Sequence, residues 1–89
     1  MISRSVTIIN KLGLHARAAS RLVNCASVFE AEIWIKNGEK TINGKSIMGV
    51  LTLAASKGTV LVIEADGSDR EDALQAIYEL ISGRFGEDE

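Results

Sequence analysis

Proline is absent from these 89 residues, cysteine and histidine occur once each, and aromatic side chains amount to 4%. The lone Cys25 cannot close an internal disulfide, so nothing in the chain calls for an oxidising compartment. No apolar run approaches the ~18 residues of a membrane span, and the opening MISRSV lacks the apolar stretch of a secretory signal. The default expectation is a cytoplasmic protein without membrane insertion. One histidine and one cysteine make no metal-ligand cluster, and no base is paired with an activated serine. There is no internal repeat, low-complexity tract or Pro/Gly linker.

What is present is a foldable chain. Hydrophobic residues at 46% and charged residues at 25% fit one globular domain spanning residues 1–89. A net charge of −2 excludes a strongly basic nucleic-acid binder. The charge is unevenly spread, with eight basic and three acidic residues up to Lys57, then two basic and nine acidic. A partner meeting the first part is expected to be acidic or to carry phosphate.

Alternating β-branched residues in Arg4 to Asn10 read as a strand. Ala19, Leu22, Val23 and Ala26 follow one helix face, so a helix is expected from Ala16 to Ser27. Glu32–Lys36 and Lys40–Asn43 flank Asn37-Gly38, a pair suited to a tight hairpin turn. Trp34 faces away from Ile33 and Ile35. Ser46 has the place of an N-cap before Ile47, Val50, Leu51 and Ala54. A strand follows over Val60–Ala65; Ser68 and Glu71 have capping-box spacing before a last helix that Gly83 closes. The tail Gly86-Glu87-Asp88-Glu89 is expected to fray. The order βαββαβα predicts an α+β fold, a two-layer open-faced β-sandwich whose four-stranded, mostly antiparallel sheet carries three helices on one face.

His15 falls at the N-cap of the first helix, a position that does not favour imidazole. The first amides of a helix are unsatisfied and its dipole is positive there, so the backbone of Ala16 and Arg17 forms an anion site to which the Arg17 guanidinium adds charge. A phosphoryl group fits it. Neutral imidazole is nucleophilic near neutral pH and is also a good leaving group from phosphorus. Gly13, Ala16, Ala18, Ala19 and Ser20 are small and are expected to leave the ring uncovered for a partner's active site. NGEKTINGKS, residues 37–46, superficially has the look of a phosphate-binding P-loop. Five residues separate its glycines instead of four, and the first sits in a hairpin turn, which argues against nucleotide binding.

Gly13-Leu14-His15-Ala16-Arg17 resembles the phosphorylation-site motif of the HPr phosphocarrier family of the bacterial phosphoenolpyruvate:sugar phosphotransferase system. Lys45-Ser46-Ile47-Met48-Gly49-Val50-Leu51 is similar to that family's second signature, around its regulatory serine. The resemblance covers nearly the whole chain. It implies a carrier, not an enzyme, that accepts phosphate on Nδ1 of His15 from phospho-enzyme I and donates it to an enzyme IIA domain, with Arg17 steadying the group. It implies that Ile47, Met48 and Leu51 form an apolar docking surface, and that Ser46 is modified by HPr kinase/phosphorylase in bacteria that have it. Neither cofactor nor metal is implied, and a monomer is expected. Family members usually have proline where this chain has Ala18, a difference expected to have a modest effect on stability or phosphohistidine lifetime. The alternatives are a regulatory binding module controlled by Ser46 phosphorylation, and the nitrogen-related carrier branch without a role in sugar uptake.

Overall fold

The computed structural model describes residues 1–89. Its elements run β1 (Ile2–Thr7), α1 (Ala16–Ser27), β2 (Glu32–Asn37), β3 (Lys40–Asn43), α2 (Ile47–Thr52), β4 (Val60–Asp66) and α3 (Arg70–Ser82), followed by a single 3-10 turn at Arg84–Gly86. The four strands form one sheet in the order β1-β4-β2-β3, with every neighbouring pair antiparallel. The expected open-faced sandwich is the observed one.

Alternation along the strands explains the layering. Val6 and Ile8, Ile33 and Ile35, and Leu61, Ile63 and Ala65 all turn inward and are buried. Ala18, Ala19, Leu22 and Ala26 of α1, Val50 of α2, and Ala73, Leu74, Ile77 and Ile81 of α3 close over them. Trp34 lies in register between Asn43 and Glu64 on the other face and is only partly covered. Beside it Lys36 Nζ pairs with Glu64 at 3.1 Å. Cys25 is half-buried and packs against the core as a small side chain, and its burial pushes the thiol pKa up.

Four local expectations are corrected. β1 ends at Thr7 instead of Asn10, although Ile8 still exchanges hydrogen bonds with the Gly58-Thr59 segment, so the inward alternation of Val6 and Ile8 carries on to Asn10. In the hairpin Asn37 pairs with Lys40, which leaves Gly38-Glu39 as the two-residue turn with positive φ at Gly38. Asn37 instead donates its side-chain amide to the Leu53 carbonyl at 3.2 Å.

The Ser68–Glu71 capping box does not form. Asp69 stands at the N-cap of α3 without a side-chain cap bond, because its carboxylate accepts from the backbone amides of Glu30 (2.9 Å) and Ala31 (2.8 Å). Where fraying was expected the tail folds back, the Lys11 amide donating to Glu89 O at 3.0 Å and the Glu87 amide to Arg84 O at 2.9 Å. Arg84 and Phe85 adopt positive φ, a backbone form that costs a non-glycine residue about 1–3 kcal/mol. What offsets that cost is the burial of Phe85, 1% exposed, in the core beneath α1 and α3.

Candidate functional site

Strand β1 delivers the chain into a loop that is pinned before α1 begins. Asn10, fully buried, donates its amide to the Gly13 carbonyl at 2.8 Å, and the Leu14 backbone amide donates to Ala55 O at 2.8 Å. Gly13 has φ +66°, and a Cβ there would stand 2.6 Å from Ala55 O. Only glycine fits where the loop crosses that carbonyl. Leu14 is then buried and His15, the next residue, faces outward at the N-cap of α1 with φ −78° and ψ 179°.

The His15 carbonyl accepts the first helical bond, from Ala19 at 2.8 Å. The amides of Ala16, Arg17 and Ala18 precede that bond and have no acceptor within the helix, and no side chain caps them. They form the positive end of a twelve-residue helix. Ala18 contributes an N–H here, which a proline would lack, and is itself buried.

His15, Ala16 and Arg17 line one open groove with Lys11, Leu12 and the tail residues Glu87, Asp88 and Glu89. The imidazole is 28% exposed, so the uncovered ring expected from its small neighbours is corrected. What covers it is Glu87, whose Oε2 contacts His15 Nε2 while its Oε1 accepts from Asn10 Nδ2 at 2.9 Å. Arg21 donates to the Phe85 carbonyl, and Lys11 holds Glu89 through its backbone amide (3.0 Å) and its Nζ (3.4 Å). Burial raises the pKa of the Glu87 carboxyl. The hydrogen bonds from Asn10 and His15 and the nearby charges of His15 and Arg21 outweigh it and hold the carboxyl below the usual glutamate range.

The remaining expected residues sit on α2, which packs against α1 and does not line the groove. Ser46 is its N-cap, as expected, with Oγ accepting from the Gly49 amide at 3.1 Å. Ile47 (39% exposed), Met48 (70%) and Leu51 (38%) are uncovered apolar side chains of this short helix, and Leu12 adds a fourth from the loop before His15. Asn10, Leu12 and Glu87 were not singled out from the sequence. Asn10 had a signal, a polar residue continuing an inward alternation, and Phe85 had one as the lone aromatic in a charged tail.

The family model described as the PTS HPr component phosphorylation site matches residues 2–83. The phosphocarrier protein HPr of Neisseria meningitidis serogroup A is 51% identical over 89 residues, all of both chains. The phosphocarrier protein NPr of Shewanella violacea is 45% identical, covering 97% of this chain and 94% of its own. The crystal structure of an HPr from Thermoanaerobacter tengcongensis matches with a TM-score of 0.96 and 43% identity over the whole of both chains.

Proposed function

Since the chain belongs to the HPr family of phosphocarrier proteins of the phosphotransferase system, we propose that His15 takes a phosphoryl group from phospho-enzyme I and hands it to an enzyme IIA domain. The observation that carries this reading is the place of the imidazole at the amide end of α1, in one groove with Arg17. The Nδ1 lone pair attacks phosphorus as the donor's bond to it breaks, and the donor keeps that electron pair. The free amides of Ala16 and Arg17 and the Arg17 guanidinium then face the phosphoryl oxygens. Donation reverses the step, with the P–N pair returning to the ring.

Ile47, Met48 and Leu51 supply the apolar contact on which donor and acceptor dock in turn, with Leu12 beside the histidine. Both partners need the same face free, so the carrier works as a monomer in the cytoplasm. Ser46 adds control, in the manner of a cognate HPr kinase/phosphorylase: phosphate there favours the N-terminus of α2 while setting charge beside the docking side chains. The nitrogen-related branch is a second reading, supported by the 45% identity to an NPr.

The test is incubation with phosphoenolpyruvate and enzyme I, which should give an acid-labile, base-stable phosphate that His15→Ala abolishes. Stoichiometric labelling that survives that substitution refutes the assignment. A wild type labelled only by a kinase, at Ser46, would leave a regulatory module instead.

A further inference from the structure

The strongest feature outside the helix end is the carboxylate on the far side of the imidazole. Glu87 is not a stray tail residue. Phe85 anchors the segment in the core, Arg21 holds the Phe85 carbonyl, and Lys11 holds Glu89, so the carboxylate is delivered by a folded turn. Its two oxygens are assigned to different donors. Oε1 takes the side-chain amide of Asn10 at 2.9 Å, and Oε2 meets Nε2 of His15.

An ionised carboxylate can only accept, so the imidazole nitrogen facing it must donate. The hydrogen bond made by one ring nitrogen decides which of the two carries the proton. Asn10 strengthens the selection, because both of its N–H groups are committed, one to Gly13 O and one to Glu87. Asn10 ties the carboxylate to the loop that carries the histidine.

We propose that Glu87 is a positioning residue for the relay: with Asn10 it holds the proton of His15 on Nε2 and so leaves the Nδ1 lone pair as the ring's nucleophile. The inference rests on His15 being the phosphoryl acceptor and adds what selects the atom. When Nδ1 bonds to phosphorus and the donor's bond breaks, the ring keeps its Nε2 proton and gains a positive charge facing the Glu87 carboxylate. When the P–N bond breaks toward the acceptor, its pair returns to Nδ1 and the ring is neutral again. No proton is passed in either direction. The two nitrogens point away from each other around a five-membered ring, so the carboxylate stabilises the imidazolium without approaching the phosphoryl oxygens.

The test reads the ring directly. In 15N-labelled wild type with the ring neutral, the shifts should show Nε2 protonated and Nδ1 bare, with an Nε2 proton protected from water exchange. In Glu87→Ala the bias toward that tautomer should fall roughly ten-fold, the size of a charge-assisted hydrogen bond, and the proton should exchange freely. Phosphorylation by enzyme I should slow with it. Glu87→Gln has one acceptor oxygen for two donors and should fall between.

Unchanged nitrogen shifts and exchange in a folded Glu87→Ala would overturn the proposal, even if phosphorylation slowed, because Glu87 would then be a partner contact. If wild type takes no phosphate on His15 while the shifts still respond, the relay reading fails and tautomer control stands.

Discussion

Asn10 is the one polar side chain that is fully buried, and it joins two parts of the chain 77 residues apart. Truncation to alanine would leave the Gly13 carbonyl and one oxygen of Glu87 without their donor. Asn10→Ala is expected to lower stability by about 1–3 kcal/mol, seen as a lower denaturant midpoint with little change in slope. The same residue marks the boundary of what the sequence made readable. His15, Ala16 and Arg17 could be placed at a helix start because that feature is local, made by consecutive amides. The contact of Glu87 with His15 was not readable, since no periodicity relates residues 72 positions apart. The packing of Phe85, with the bonds from Arg21, Lys11 and Asn10, brings them together.

At the scale of the element, α2 is a six-residue helix that combines a cap with an apolar face. Ser46 Oγ accepts from Gly49, so Ser46→Ala should cost about 1 kcal/mol in thermal or denaturant melts. Ser46→Asp keeps an acceptor at the cap and should melt close to wild type, yet dock to enzyme I more weakly because its charge stands beside Ile47 and Met48. Both substitutions should be spared by a kinase that labels the wild type. Ser46 was legible because capping depends on neighbours three residues away. The cap of α3 was misread for the opposite reason. Asp69 is drawn to the amides of Glu30 and Ala31, where Gly67 presses so close to Ala31 that a Cβ would lie 2.7 Å from its Cα. That contact is tertiary and leaves no mark in the local pattern.

Across the whole molecule the uneven charge of the sequence resolves into a contact. The acidic end of the chain folds back on the basic part, with Lys11 and Arg21 holding the segment that contains Glu87. Two carboxylates serve as acid-sensitive fastenings. Asp69 is held below its usual range by the Glu30 amide first, against some desolvation, with help from Ala31 and Lys45. Glu87 is held down by its bonds despite its burial. Both folded-state pKa values are depressed, so the stability these groups lend is present above the unfolded values, about 3.9 for Asp and 4.3 for Glu, and is lost as pH falls through the folded ones. The urea midpoint should therefore be flat in this respect above about pH 5 and fall toward pH 3. Glu87→Ala should remove part of that acid dependence.

β1 finds its only sheet partner in β4, and the loop beyond it leans on Ala55, Gly58 and Thr59. During synthesis the segment bearing the histidine leaves the ribosome early, but the scaffold that shapes it arrives more than forty residues later. Nascent chains stalled before that strand emerges therefore hold an imidazole with no formed cradle, and the loop that presents it takes its shape only with completion of the sheet.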